Sequence, residues 1–334
     1  MRSLSLSVLL AITATPLWAA PQVVADLAPT GALVQEVMGD LGEVRVLLPQ
    51  GASAHHYQMR PSDARALQSA DLVVWVGPEL TPWLDRAQGS LSGGAELRLL
   101  TVEGTQTRSY GAAETEAHDD HDHGDHDHDH DHDHDHDHDH DHDHDHDHGD
   151  HDHGDHDHAH DGTDPHAWLN PQNAVTWLDA IARTLSEQDP ENAQTYQANA
   201  RAAVDRLTAL DATLTARLAP VADARFVVFH DAYGYFTEHF GLQPAIPVAL
   251  GDASTPSAAR IAEIRAQIAQ SGATCAFPEY AHDPALIATV TEGSTLTLGG
   301  ELSPEGGALA PGAGQYDALL TQMADTLLDC LDQE

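Results

Sequence analysis

The sequence predicts an α/β protein of two lobes, in which each lobe is a parallel sheet flanked by helices and a long rigid helix joins the lobes. Three observations support this fold class. Short apolar runs rich in Val and Leu alternate with helical patterns in both halves of the 334-residue chain. These runs are nearly continuous, which is typical of parallel strands buried on both faces. One long amphipathic pattern separates the two halves.

Residues 1–19 predict a cleavable export signal. Arg2 supplies a positive start, an apolar stretch runs from Leu4 to Leu17, and Ala19 and Ala20 offer a cleavage point. The alternative is a membrane anchor, which would need about 20 apolar residues to span a bilayer. We therefore expect a soluble protein that is exported to the periplasm.

The N-terminal lobe is predicted over residues 20–189. Its strands are expected at residues 22–28, 44–49, 70–77 and 97–103, and its first helices at 31–41, 61–69 and 82–91. A further helix begins at Asn170-Pro171, where a capping side chain precedes a proline at the first helical position.

A linker helix is predicted over residues 190–218. Its apolar residues, among them Tyr196, Val204, Leu207 and Leu214, keep spacings of three and four. At 1.5 Å per residue this helix would be about 43 Å long. Lobes joined by such a stiff element are expected to tilt only slightly against each other.

The C-terminal lobe is predicted over residues 219–334 and repeats the alternation. Its strands are expected at 225–230, 245–250, 274–279 and 295–299, and its helices at 233–240, 256–270, 284–292 and 315–331. Cap-and-proline pairs predict further helix starts at Asp189-Pro190, Thr255-Pro256 and Asp283-Pro284.

Residues 118–161 form a tract of 20 His and 20 Asp, with three Gly and one Ala. The tract has no large apolar side chain and cannot form a core, so we predict a disordered loop inserted in the N-terminal lobe. Its histidines are expected to be weak, accessory metal ligands, because each bound metal must order the chain around it. Those singled out are His118, His121, His123, His126, His128, His151, His153, His156, His158 and His160.

Charge and cysteine content limit the partners and the compartment. The formal charge is −40 at pH 7, so the chain could not neutralise phosphates, and nucleic acid is excluded as a partner. The two cysteines, Cys275 and Cys330, predict one disulfide in an oxidising compartment. The alternative, a thiolate metal site, is disfavoured because no CxxC spacing occurs.

Six histidines lie outside the tract, and three of them occupy places where a crevice would form. His230 ends the strand predicted at 225–230, His55 lies in the loop after the strand at 44–49, and His166 shortly precedes the helix at Asn170. Three neutral imidazoles suit Zn²⁺, with a carboxylate or water in the fourth position. His239 is interpreted as structural or exposed. His282 is interpreted as a surface residue whose loop borders the crevice.

Three segments resemble a known family. GASAHHYQMRPSDARALQSADLVVWVGPEL, DPHAWLNP and RFVVFHDAYGYF are similar to the periplasmic zinc-binding proteins of high-affinity zinc ABC importers, the ZnuA type of metal-binding solute-binding protein. The resemblance covers essentially all of the mature chain. It implies that zinc binds in the cleft between two lobes, with His55, His166 and His230 as its ligands.

The chain departs from the family pattern at both usual carboxylate positions. Ala54 stands where many zinc-specific relatives have Glu, and Ser303 stands where manganese-type relatives have Asp. The fourth ligand is therefore left open between water, a histidine of the tract, His56, Glu301 and Glu305. Glu279 resembles a family glutamate near the site, and we expect it to orient a ligand imidazole.

The resemblance implies a solute-binding protein that captures Zn²⁺ and passes it to an inner-membrane ABC permease, without enzymatic activity. We expect a monomer. One alternative is an exported zinc hydrolase, but no HExxH pattern occurs, and only Glu279, Asp231 and the acids of the tract could serve as its base. A manganese-binding relative is disfavoured because Mn²⁺ prefers oxygen ligands. A metal buffer or adhesin, in which the tract does all the binding, is the remaining alternative.

Overall fold

The N-terminal sheet is built from four short parallel strands. A computed structural model of the protein describes residues 20–110 and 162–332, so the predicted export signal and the His/Asp tract lie outside the described residues. The strands are β1 (Val23–Ala25), β2 (Val44–Val46), β3 (Leu72–Trp75) and β4 (Ala95–Arg98), in the spatial order β2-β1-β3-β4. All residues of β1 and β3 are buried, as expected for apolar strands at the centre of a parallel sheet.

The helices of this lobe are α1 (Ala28–Met38), α2 (Pro61–Ser69), α3 (Pro82–Leu91) and α4 (Pro171–Gln188). The predicted bounds of α2 and α3 are confirmed, while α1 starts and ends three residues before its prediction. The strand predicted at 97–103 is wrong after Arg98, because Leu99 and Leu100 turn into a 3-10 helix that buries them. Asn170 caps α4, since its side-chain oxygen accepts a hydrogen bond from the backbone N–H of Gln172 at 2.9 Å.

The C-terminal sheet repeats this topology. Its strands are β5 (Phe226–His230), β6 (Ile246–Ala249), β7 (Cys275–Phe277) and β8 (Thr297–Leu298), all parallel and in the order β6-β5-β7-β8. Its helices are α6 (Gly234–His239), α7 (Ala258–Ser271), α8 (Ala285–Thr291) and α9 (Gln315–Leu331). The predicted bounds of α9 are confirmed.

Three predicted helix starts in this half are wrong by one or two residues, and the first of them is α6, which begins at Gly234 and not at Tyr233. Helix α7 begins at Ala258, because Ser257 and not Thr255 supplies the cap, accepting from the N–H of Arg260 at 3.2 Å. Helix α8 begins after Pro284, while Asp283 still accepts a hydrogen bond from the N–H of Ala285 at 2.9 Å.

The long helix α5 (Ala193–Leu218) lies between the two sheets in sequence and contacts helices of both lobes in space. It packs against α1 and α4 of the N-terminal lobe and against α9 of the C-terminal lobe. Its 26 residues correspond to about 39 Å. The helix predicted to start at Pro190 begins three residues later, because Pro190–Asn192 forms a 3-10 turn.

One apolar core runs along α5 through both lobes. It contains residues of β1 and β3, of β5 and β7, and the buried sides of α1, α4 and α9. Cys275 of β7 and Cys330 of α9 form a disulfide, with 6.3 Å between their Cα atoms, so α9 is fastened to the second sheet. In the part of the chain that the structure describes, no helix is long and apolar enough to cross a membrane.

Candidate metal centre

His55, His166 and His230 meet where the two lobes face each other. One ring nitrogen from each lies within 4.8 Å of the other two, and this is the only such group of metal-ligating side chains among residues 20–110 and 162–332. The Nε2 atoms of His166 and His230 are 3.3 Å apart. Two nitrogens bound tetrahedrally to one Zn²⁺ are separated by about 3.3 Å. This pair is therefore already at the spacing that zinc requires.

The three histidines come from different elements, and two of them are fully buried. His230 is the last residue of β5, at the carboxyl end of a parallel sheet, where ligands of open α/β folds bind. His166 precedes the 3-10 turn Ala167–Leu169 that leads into α4. His55 lies in the loop between β2 and α2 and is half-buried. The site therefore depends on both lobes being in place.

The loop of His55 is held at Ala54, the residue before it. The backbone N–H of Ala54 donates to both carboxylate oxygens of Glu305 at 3.2 Å, and its carbonyl oxygen accepts from Nε1 of Trp83 at 3.0 Å. Glu305 belongs to the C-terminal lobe, so this contact also joins the lobes. The loop thus presents His55 from a fixed backbone.

Asp164 fixes the orientation of His166. Its Oδ1 lies 2.8 Å from Nδ1 of His166 and also accepts from the backbone N–H of His166 at 3.0 Å. Its Oδ2 accepts from the Arg108 guanidinium at 2.8 Å, and the Asp164 side chain is fully buried. An ionised carboxylate accepts only, so Nδ1 of His166 carries the proton and Nε2 faces the centre with a free lone pair.

Glu279 plays the corresponding part for His230. Its Oε2 lies 2.9 Å from Nδ1 of His230 and accepts from the hydroxyl of Tyr233 at 2.9 Å. Burial alone would lower the pKa of His230, but the charge and hydrogen bond of Glu279, together with the charges of Glu305 and Asp231, outweigh it, and the net effect raises that pKa. Nε2 of His230 is again the atom that faces the centre.

His55 has no such partner. Its Nε2 atom is buried and makes no hydrogen bond to any of the described residues. Burial, followed by the neighbouring rings of His166 and His230, holds the pKa of His55 well below its usual value. His55 is therefore neutral at neutral pH, with a ring nitrogen that lacks a donor, and a buried polar atom of this kind requires an explanation.

The residues considered for a fourth ligand differ in their placement. His56 and Glu301 are exposed. Glu305 contacts the His55 loop, and burial, together with the charge of Glu279, raises its pKa to about 7 even though His230 and the N–H of Ala54 lower it. Ser303, at the manganese-type carboxylate position, is buried and accepts from the N–H of Ala308 at 3.2 Å. The histidines of the tract lie outside the described residues.

Two other histidines have structural contacts. Nε2 of His239 lies 2.6 Å from Asp211 and so links α6 to α5, in agreement with its structural interpretation. The interpretation of His282 as a surface residue is wrong, because its ring stacks on Phe229 with 4.3 Å between centroids. Its side chain is only 13% exposed, and its Nε2 lies 3.4 Å from Oε1 of Glu279.

Sequence reasoning did not single out Asp164, Arg108 or Tyr233. The Asp-x-His spacing of Asp164 and His166 was a usable signal, since a carboxylate two residues from a ligand histidine can reach its second nitrogen. Arg108 and Tyr233 gave no local signal, because their partners are distant in sequence.

Known proteins resemble this chain over nearly its whole length. Residues 23–330 match the family described as zinc-uptake complex component A, periplasmic. The chain is 57% identical to the high-affinity zinc uptake system protein ZnuA of Paracoccus denitrificans, covering 98% of each chain. It is 41% identical to the protein of that name from Brucella suis, covering 93% of this chain and 92% of that one.

Solved structures share the fold at low sequence identity. A crystal structure of ZnuA superimposes with a TM-score of 0.69 at 20% identity, over 93% of this chain and 99% of that one. A manganese-bound periplasmic metal-binding protein from Candidatus Liberibacter asiaticus gives a TM-score of 0.70 at 20% identity, over the same shares of the two chains. On the family match and the identity to its relatives, this chain belongs to the ZnuA family of periplasmic zinc-uptake components.

Proposed function

We propose that this protein captures Zn²⁺ in the periplasm between its two lobes and delivers it to an inner-membrane ABC permease. The observation that carries the proposal is the buried Nε2 of His55, which lacks a partner among the described residues and belongs to a group of three histidine nitrogens. Bound zinc would supply the missing contact. The relatives named as high-affinity zinc uptake proteins support the same cargo.

The ligand set we propose is His55, His166 and His230, with Glu305 or water in the fourth position. Glu305 is favoured over His56 and Glu301 because it already contacts the backbone beside His55, whereas the other two are exposed. Three histidine nitrogens with one carboxylate or water as the fourth ligand suit Zn²⁺ better than Mn²⁺. Asp164 and Glu279 would raise the basicity of two of the ligands by accepting hydrogen bonds from the Nδ1–H groups of His166 and His230.

The role that each part of the chain would have in binding and releasing zinc follows from where the proposed ligands lie. We propose lobes at residues 20–189 and 219–334, joined over residues 190–218, with two zinc ligands on the first lobe and His230 on the second. A tilt of the lobes, imposed by the permease, would then withdraw His230 and release the metal. The tract of residues 118–161 would serve as an accessory source of weak sites. We expect the protein to act as a monomer.

The contacts of Glu279, one of the bases considered for a hydrolase, do not support catalysis. A hydrolase would need a general base poised over a metal-bound water. Glu279 instead accepts hydrogen bonds from both His230 and Tyr233 through one oxygen, and its other oxygen faces His282. Its role in the proposed function is to orient His230.

Zinc titration of alanine variants tests the ligand set. In a chain lacking residues 118–161, we replace one ligand at a time: His55→Ala, His166→Ala or His230→Ala. Each change should weaken the affinity of the one tight zinc site by more than the roughly 10- to 100-fold that is typical when a hydrogen-bond partner of a ligand is lost. His239→Ala is the matched control, because His239 bonds to Asp211 away from the centre, and it should bind as the parent does.

Two outcomes would contradict the proposal. If calorimetry showed all three variants binding one zinc as tightly as the parent, the ligand set would be wrong. If the parent bound Mn²⁺ more tightly than Zn²⁺, or failed to restore growth of a zinc-uptake-deficient strain in zinc-limited medium, the cargo would be wrong.

A further inference from the structure

The two chain segments that flank the His/Asp tract pair with each other. We define the neck as residues 108–110 together with residues 162–164. The N–H of Tyr110 donates to the carbonyl oxygen of Gly162 at 3.2 Å, and the N–H of Asp164 donates to that of Arg108 at 2.9 Å. Ser109 and Thr163 form an antiparallel bridge between them. This pairing alone would be enough to close a loop.

The neck also contacts the opposite lobe at two places. The hydroxyl of Tyr235, in α6, accepts from the N–H of Arg108 at 3.0 Å and donates to the carbonyl oxygen of Asp164 at 2.9 Å. The hydroxyl of Tyr110 donates to the carbonyl oxygen of Gly251, after β6, at 3.3 Å. The Arg108 guanidinium lies 3.6 Å from Glu238 and 5.8 Å from the centroid of the Tyr235 ring. These contacts exceed what closing the loop requires.

The surface of the C-terminal lobe is shaped to receive the neck. A Cβ atom on Gly234 would lie 1.4 Å from Nη1 of Arg108, and a Cβ atom on Gly251 would lie 2.2 Å from the ring of Tyr110. Any larger residue at either position would displace the neck side chain. Glycine at both positions therefore permits close contact between the lobes at this edge of the cleft.

Arg108 connects this contact to the metal centre. Its Nη1 donates to Oδ2 of Asp164 at 2.8 Å, and the other oxygen of Asp164 lies 2.8 Å from Nδ1 of His166. The side chain of Arg108 is 13% exposed and that of Asp164 is fully buried, so the pair is shielded from solvent. Movement of the neck would therefore shift the carboxylate that orients His166.

We propose that the neck is a clasp between the lobes and that Arg108 is a positioning residue for His166, so that breaking the clasp speeds release of the metal. The inference rests on the proposed function, since it assumes that His166 and His230 bind the same ion from opposite lobes. The clasp adds to the closed state contacts that must break before the lobes separate. The clasp therefore sets the residence time of the bound metal more than the rate of its capture.

The test measures the release of one equivalent of Zn²⁺ from the full-length protein into excess chelator by stopped flow. Three variants remove contacts of the clasp, two on the neck and one on the C-terminal lobe: Arg108→Gln, Tyr110→Phe and Gly251→Ala. Each should release zinc faster than the parent does, and Arg108→Gln should do so roughly 10- to 100-fold faster. Arg217→Gln is the matched control, because Arg217 pairs with Asp325 on an exposed surface, and its release rate should equal that of the parent.

A spectroscopic readout separates positioning from general loss of stability. With one equivalent of Co²⁺, Arg108→Gln should shift the visible absorption bands of the bound ion, whereas Tyr110→Phe should leave them unchanged. Arg108→Lys, which keeps a donor for Asp164, should restore the bands in part. Thermal unfolding of each metal-free variant checks that it folds.

The outcomes distinguish the two proposals. If the parent bound no tight equivalent, the proposed function would fail before the clasp is tested. If the parent bound tightly and the three clasp variants released zinc at its rate, the clasp would be wrong. Unchanged cobalt spectra in Arg108→Gln with faster release would refute the positioning of His166.

Discussion

Replacing Glu279 with Gln tests how the buried carboxylate supports zinc binding. Glu279 is 3% exposed, and its Oε2 accepts from both His230 and Tyr233. Glutamine has the same shape and keeps one oxygen that can accept both hydrogen bonds, so the geometry should survive while the charge is lost. Any change in affinity then reports the charge.

The expected loss follows from the role of the carboxylate. Removing a group that accepts a hydrogen bond from a ligand histidine typically weakens metal binding roughly 10- to 100-fold. That corresponds to about 1.4–2.7 kcal/mol. The loss should fall within this range because the hydrogen bond of Tyr233 to the side chain at position 279 is retained.

The pH dependence gives the prediction a sign. In the metal-free parent, Glu279 raises the pKa of His230 against the effect of burial, so a proton competes with zinc already at moderately low pH. In Glu279→Gln the two largest effects that oppose burial are lost, so the pKa of His230 falls and the proton competes with zinc only at lower pH. The parent's advantage should therefore be greatest at pH 8 and narrow as the pH falls through the raised pKa of His230.

Competition titrations against a zinc chelator at pH 8 and at pH 6 measure both effects. Glu292→Gln is the control, because Glu292 is an exposed residue that pairs with Arg265 on the surface. Equal affinities of parent and Glu279→Gln at pH 8 would refute the reasoning. An advantage of the parent that widened at pH 6 would refute the assignment of the raised pKa to Glu279.

Three further predictions concern groups at and away from the centre. Burial raises the pKa of Glu305 to about 7, so the cost of ionising it is absent below pH 4.5 and complete above pH 7. Glu305→Gln should raise the free energy of unfolding of the metal-free protein by up to about 3 kcal/mol at pH 8 and scarcely at pH 4.5. Denaturant unfolding that showed the same gain in stability at both pH values would contradict this. Neither Cys275 nor Cys330 should react with a maleimide in unfolded, unreduced protein, and reduction should cost about 4 kcal/mol of stability; free thiols would contradict the bridge. Deleting residues 118–161 should remove weak zinc sites and slow capture at low salt while the tight site survives; stopped-flow rates equal to the parent's at every salt concentration would reduce the tract to a passive reservoir.

The sequence by itself determined the order of elements and the three histidines. Short apolar runs and cap-and-proline signals are local, so the bounds of α2, α3 and α9 were predicted to the residue. The run at 97–103 misled because buried leucines fit a 3-10 turn as well as a strand. His230 was predictable because it ends an apolar strand, where parallel sheets bind ligands.

Only the tertiary structure decided which distant residues contact the groups around the histidines. Glu305 contacts Ala54 across 251 residues of sequence, and Arg108 reaches Asp164 across 56. The first contact depends on how the two lobes dock against each other, and the second on the pairing of the two neck segments, and no local pattern encodes either arrangement. Residue type and local position therefore nominate the three histidines and the carboxylates Asp164 and Glu279, whereas the contacts of Arg108 and Glu305 depend on the tertiary structure, because their partners are distant in sequence.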